Sequence, residues 1–161
     1  MSDAIPRLAD ALLARGWMLA TAESCTGGLI SAACTGIAGS SDWFDCGFVT
    51  YSNEAKMAML GVQEDLLAAH GAVSEQVARA MAFGAVRHSR ARVSVAVTGV
   101  AGPGGDSAEK PVGTVWFGFM IDGRLYSERM QFDGGRAAVR AATVRHAVDR
   151  LIAILGSADT E

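Results

Sequence analysis

Val93-Ser-Val-Ala-Val-Thr98, running directly into Gly99-Val-Ala-Gly-Pro-Gly-Gly105, sets the architecture of this 161-residue chain. The first half alternates and is rich in β-branched residues, which predicts a strand. The second half is a glycine-rich loop at the end of that strand, where open α/β sheets place their ligands. It fits neither the G-x-G-x-x-G dinucleotide fingerprint nor a P-loop, because no Lys-Ser/Thr pair follows the glycines. Its successive N–H groups can form an anion nest, and a long turn stiffened by Pro103 is the equally weighted plain reading. Downstream, Val112 to Ile121 and Arg124 to Phe132 predict two strands joined at Asp122-Gly123, followed by a helix from Arg136 to Leu155. Upstream, helices are expected over Pro6–Arg15, Thr26–Gly36, Asn53–Leu60, Gln63–Ala69 and Ser74–His88, with strands over Trp17–Ala22 and Cys46–Tyr51. Leu29, Ile30 and Ala33 are expected on the inner face of their helix, and Asn53 as an N-cap. Strands alternating with helices, plus one hairpin, predict a single three-layer α/β/α domain with a mixed sheet over residues 1–161.

Composition narrows the function classes. Hydrophobic residues make up 50% and charged residues 19%, enough apolar material for a full core. The net charge of −3 argues against a nucleic-acid partner, since phosphate neutralisation needs a basic surface. The 19 glycines cluster rather than repeat. Cys25, Cys34 and Cys46 contain no Cys-x-x-Cys pair, and His70, His88 and His146 lie far apart, so neither a disulfide framework nor a metal site is expected. The N-terminus lacks a signal-peptide pattern. The longest uncharged run, Ser24 to Ser41, is too rich in Gly, Ser and Thr for a membrane span. These features predict a soluble cytoplasmic protein. Trp43-Phe44 reads as either core or interface.

Two segments carry candidate chemistry. Thr21-Ala-Glu-Ser-Cys-Thr-Gly-Gly28 sits where a strand hands over to a helix, a turn that exposes a nucleophile near the helix's positive pole. Ser24, Cys25 and Thr26 are all candidates, and N–H groups from Cys25 to Gly28 can receive an oxyanion. The plain reading is that Ser24 or Thr26 is an N-cap. Tyr51-Ser-Asn-Glu-Ala-Lys56 supplies a base in place of histidine, provided that Lys56 loses its charge through desolvation or a helix N-terminus. Glu23 or Glu54, paired with it, would oppose that role. For any single lysine, solvent exposure is the default.

Ala22-Glu-Ser-Cys-Thr-Gly-Gly28, Gly47-Phe-Val-Thr-Tyr-Ser-Asn-Glu-Ala-Lys56, His70-Gly-Ala-Val-Ser-Glu75, Thr98-Gly-Val-Ala-Gly-Pro-Gly-Gly105 and Lys110-Pro-Val-Gly-Thr-Val-Trp116 together resemble the CinA C-terminal domain family, in order and over nearly the whole chain. The length resembles that of stand-alone members acting as nicotinamide-nucleotide amidases. The resemblance implies hydrolysis of nicotinamide mononucleotide to nicotinate mononucleotide and ammonia by a serine/lysine mechanism, with no metal or organic cofactor. It implies Ser24 as nucleophile, Lys56 as base and Tyr51 as an aid to proton transfer or to Lys56 orientation. Substrate contacts are implied for Cys25, Thr26, Gly27 and Gly28, for Thr98, Gly99 and Gly102, and for Arg140 of the Gly135-Arg136-x-x-x-Arg140 stretch, on phosphate or carboxamide. A homo-oligomer is likewise implied. Three rivals stand beside this reading: Cys25 as the nucleophile, a different carboxamide substrate, and a non-catalytic nucleotide-binding or competence-associated module.

Overall fold

The computed structural model describes residues 3–158. The expectation of one domain over 1–161 therefore reaches residues 1, 2 and 159–161, which lie outside the described residues. The helix α1 (Ala4–Arg15) ends at Gly16, whose φ of 67° supplies the left-handed turn that closes it. There follow β1 (Leu19–Glu23), α2 (Leu29–Thr35), β2 (Phe44–Val49), α3 (Asn53–Leu60), α4 (Glu64–His70) and α5 (Glu75–Arg87). The chain ends with β3 (Val93–Gly99), β4 (Thr114–Ile121), β5 (Arg124–Gln131) and α6 (Arg136–Ala158).

The strands form one mixed sheet in the order β2-β1-β3-β4-β5. β1 runs parallel to both β2 and β3, and the β3–β4 and β4–β5 pairs are antiparallel. The turn between β4 and β5 uses Asp122 (φ 46°) and Gly123 (φ 89°), the pair of positive φ values that a two-residue type I′ hairpin requires.

β3 explains the three layers. Val93, Val95 and Val97 face a cluster with Leu8, Leu12 and Ile30, on the side covered by α1, α2 and α6. Ala96 faces a second cluster with Leu60, Val77 and Met81, on the side of α3, α4 and α5. The residues on that second face are small, and α5 comes close: Ser94 Oγ donates to the Ala82 carbonyl at 2.7 Å. A Cβ on Gly118 of β4 would stand 2.4 Å from the Ala78 carbonyl oxygen. Trp43 is 1% exposed, which settles it as core.

Several boundaries shift from the sequence reading. The helix expected from Thr26 starts at Leu29, because Gly27 (φ 58°) and Gly28 (φ 109°) hold the intervening turn in left-handed conformations. Leu29, expected inside, is 40% exposed, and Cys34 takes the inner position. Asn53 is not the N-cap of α3. Ser52 is: its side chain accepts a hydrogen bond from Ala55 N, making Asn53 the first helical residue. Ser74 caps α5 as expected, accepting from Val77 N. The strand expected at Cys46–Tyr51 ends at Val49, which frees Thr50 and Tyr51 to turn over the sheet.

Candidate active site

The chemistry-bearing segments leave neighbouring parallel strands at the same end. β1 ends at Glu23, β2 at Val49 and β3 at Gly99, and β1 lies between the other two. The connection from β1 to β2 carries α2 on one face, and that from β2 to β3 carries α3, α4 and α5 on the other. β1 is therefore the switch point of the sheet, where a crevice opens beyond the strand ends. A cleft of about 250 Å³ lies there, lined by Ser24, Cys25, Tyr51, Lys56, Ala72 and Val73 and by the loop from Thr98 to Gly105. Arg136, the first residue of α6, completes it.

Lys56 is 1% exposed despite its charge-bearing side chain. Its Nζ lies 3.0 Å from Ser24 Oγ and donates to the carbonyls of Thr50 at 2.8 Å and Tyr51 at 3.3 Å. No carboxylate among the described residues pairs with it; Glu54 is exposed, and Glu23 points into α2. Burial therefore pulls the Lys56 pKa below its ordinary value of 10.5. A neutral amine has two N–H groups and one lone pair. With the N–H groups on the Thr50 and Tyr51 carbonyls, the lone pair is left for the Ser24 hydroxyl proton.

Ser24 is held by its own backbone. Its N–H donates to the Val97 carbonyl at 3.1 Å, and its carbonyl accepts from Gly27 N at 3.1 Å. Both N–H groups are thus spent on the fold, and that of Gly27 is withdrawn from the Cys25–Gly28 set expected to bind an oxyanion. The N–H groups of Cys25 and Thr26 are engaged by no other residue among those described. The adjacent thiol is poorly placed for the rival role of nucleophile: burial pushes Cys25 up to about 11, with the Glu23 carboxylate adding to the rise. A thiol protonated throughout the neutral range is a poor nucleophile.

Of the residues singled out from sequence, Ser24, Cys25, Tyr51, Lys56, Thr98, Gly99 and Gly102 meet at the cleft. Thr26, Gly27, Gly28 and Arg140 do not line it. Thr26 Oγ1 donates to Glu23 at 2.6 Å. Arg140 clamps the turn after Ser24 from behind, donating to the carbonyls of Cys25 at 3.1 Å and Thr26 at 3.3 Å. The cationic position at the cleft mouth belongs instead to Arg136, one helical turn earlier. It donates to the Gly102 carbonyl at 2.9 Å and the Tyr51 hydroxyl at 3.1 Å. Tyr51 is 62% exposed and touches Lys56 through its main-chain carbonyl. The Ala72–Val73 wall, part of the His70–Glu75 block to which sequence reasoning gave no site role, is tied to the sheet by Thr98 Oγ1 donating to the Ala72 carbonyl at 2.9 Å. The charged side chains lining the cleft are Lys56 and Arg136, both basic.

This succession of strands and cleft-lining loops matches a single family along almost its full length. The CinA C-terminal domain model covers residues 2–155, and the chain belongs to that family. It is 61% identical over 131 residues to the nicotinamide-nucleotide amidohydrolase PncC of Enterobacter agglomerans, covering 81% of this chain and 80% of that protein. To the protein of the same name from Escherichia coli (strain K12) it is 53% identical over 146 residues, covering 90% and 88%. The crystal structure of competence/damage inducible protein CihA from Agrobacterium tumefaciens is similar with a TM-score of 0.90 at 52% identity, covering 96% of this chain and 94% of that one. No helix among the described residues is long and apolar enough to cross a membrane.

Proposed function

We propose that this chain, as one amidase domain over residues 1–161, hydrolyses the carboxamide of nicotinamide mononucleotide to nicotinate mononucleotide and ammonia. The observation that carries the reading is the buried contact between Lys56 Nζ and Ser24 Oγ in a cleft whose lining charges are basic. The names of its relatives, at 53–61% identity, supply the substrate.

Neutral Lys56 takes the Ser24 proton as Oγ attacks the carboxamide carbon. The carbonyl electron pair becomes an oxyanion, for which the Cys25 and Thr26 N–H groups are the candidate donors. The tetrahedral intermediate expels nitrogen, which leaves as ammonia with the proton carried by Lys56. Water then attacks the Ser24 ester with Lys56 again as base, releasing the carboxylate and restoring the hydroxyl. Tyr51 orients Lys56 through its carbonyl. Arg136 is the candidate phosphate ligand, with its two present partners, Gly102 and Tyr51, holding it at the mouth. Thr98, Gly99 and Gly102 shape the nucleotide wall, whereas Thr26, Gly27, Gly28 and Arg140 act by holding the turn. In this reading the protein is cytoplasmic, has no nucleic-acid partner, and forms a homo-oligomer. Leu29 at 40% exposure and Val49 at 44% supply apolar surface for that association.

The test is ammonia release from nicotinamide mononucleotide by wild type, Ser24→Ala and Lys56→Ala, with folding checked by circular dichroism. Turnover by wild type and loss in both folded variants is the expected result. Binding of the nucleotide without release would transfer the chain to the class of non-catalytic nucleotide-binding domains.

A further inference from the structure

Glu23 is fully buried and lacks a cationic partner among the described residues. A carboxylate in that setting is costly unless donors surround it, and here there are four. Oε1 accepts from Thr26 Oγ1 at 2.6 Å and Ile30 N at 2.8 Å. Oε2 accepts from Ser31 N and Ser31 Oγ, both at 2.9 Å. All four donors lie in the segment that leads from Ser24 into α2. The N-cap position of α2 is Gly28, which has no side chain to offer. Capping is delegated to a residue of β1, reaching across the nucleophile turn. The turn is thereby closed at both ends, by the strand that precedes it and the helix that follows.

The main chain of Glu23 reaches the other reacting group. Its carbonyl accepts from Thr50 N at 2.8 Å, and the Thr50 carbonyl accepts from Lys56 Nζ at 2.8 Å. One residue thus sets the turn beneath the hydroxyl with its side chain and the segment beneath the amine with its backbone.

We propose that Glu23 is the positioning residue of the Ser24–Lys56 pair, its carboxylate holding Thr26, Ile30 and Ser31 so that Ser24 Oγ stands in reach of the amine. The inference rests on Ser24 being the nucleophile. Glu23 neither hydrogen-bonds Lys56 nor lines the cleft itself. Its geometry demands acceptors at both oxygens. A glutamine would turn its NH2 group towards the N–H of either Ile30 or Ser31 and lose that contact.

The experiment compares wild type, Ser24→Ala, Glu23→Gln and Ser31→Ala. The readouts are kcat and KM for nicotinamide mononucleotide, the second-order rate of Ser24 labelling by an alkyl fluorophosphonate, and folding by circular dichroism. Displacing a nucleophile by about 1 Å costs roughly 100-fold. Glu23→Gln is therefore expected to lower kcat and the labelling rate together by about 30- to 100-fold, with KM within about threefold. Ser31→Ala removes one of the four donors, and a smaller parallel loss is expected. It decides the matter if Glu23→Gln does not fold. Unchanged kcat and labelling in folded Glu23→Gln, or in Ser31→Ala where Glu23→Gln does not fold, overturns the inference, as does a loss confined to KM. Wild type left unlabelled at Ser24 overturns it together with the nucleophile assignment. If wild type is labelled but releases no ammonia, only the substrate assignment falls, and slower labelling of Glu23→Gln still upholds the role of Glu23.

Discussion

Lys56 Nζ lies 3.0 Å from Ser24 Oγ, although the two residues are 32 positions apart, one in α3 and the other in the turn after β1. Their meeting depends on β1 and β2 being neighbours in register, with Glu23 opposite Val49 at the ends of the two strands. Removal of either partner is expected to lower kcat for ammonia release by at least about 10³-fold for Ser24→Ala and about 10²- to 10⁴-fold for Lys56→Ala. Steady-state kinetics on folded variants checks it.

The same burial gives the pH dependence a sign. The proposed mechanism uses the neutral amine as base, and desolvation lowers the Lys56 pKa from its ordinary value of 10.5. The rate is expected to rise with pH through that lowered pKa and then level off. Stability follows the same group. The unfolded chain keeps the proton up to its ordinary pKa, whereas the folded chain releases it earlier, so stability rises as pH climbs between the two values. Measured against Lys56→Met, the wild-type melting temperature should gain over that window and run parallel below it. Parallel curves throughout would falsify a lowered Lys56 pKa.

Cys25 makes the opposite kind of claim. With its thiol pushed up to about 11, it is almost wholly protonated at neutral pH. Iodoacetamide at pH 7.5 is expected to leave activity intact, and Cys25→Ser to keep kcat within about fivefold of wild type. Loss of turnover on alkylation would restore the cysteine as a candidate nucleophile.

The two arginines of α6 separate in kinetics. Arg136 lines the cleft, so Arg136→Ala is expected to raise KM about 10-fold or more, with kcat less affected. Arg140 supports the carbonyls of Cys25 and Thr26, so Arg140→Ala should act mainly on kcat and thermal stability. Reversal of this pattern would reassign the phosphate contact to Arg140.

Packing of α5 supplies a stability test. Alanine outranks glycine within a helix by roughly 1 kcal/mol, yet a Cβ at Gly84 would lie 2.1 Å from the Leu60 carbonyl oxygen. That oxygen is backbone and cannot step aside. Gly84→Ala is expected to destabilise by about 1–3 kcal/mol, lowering the melting temperature by several degrees in calorimetry.

The helices, the hairpin and the mixed sheet were legible because each rests on local pattern: Gly16 stops α1, Ser74 starts α5, and Asp122-Gly123 turns β4 into β5. Ser24 and Lys56 were legible as a candidate nucleophile and base from residue type and place, and the family resemblance pointed to the same pair. What the sequence hid was set by three-dimensional approach. Lys56 finds its hydrogen bonds on the carbonyls of Thr50 and Tyr51, and main-chain oxygens leave no signature in residue identity. Glu23 read as a threat to the charge state of Lys56; only the path of α2 shows its oxygens occupied elsewhere. Arg136 and Arg140 lie one turn apart, and sequence alone offered no way to tell which faces the cleft.

The β4–β5 hairpin carries a practical corollary. Because β4 runs antiparallel to β3, Ile121 pairs with Val93 at the beginning of β3, whereas Val115 pairs with Gly99 at its end. Asp122 and Gly123 consequently occupy the rim of the sheet opposite the one where the cleft opens. The molecule is two-ended: one rim holds the cleft, while the other ends in an exposed two-residue turn of the kind that accepts insertions. A tag, tether or inserted peptide grafted at Asp122-Gly123 would hang clear of the substrate's path, making this hairpin the natural handle for immobilising the protein in working form.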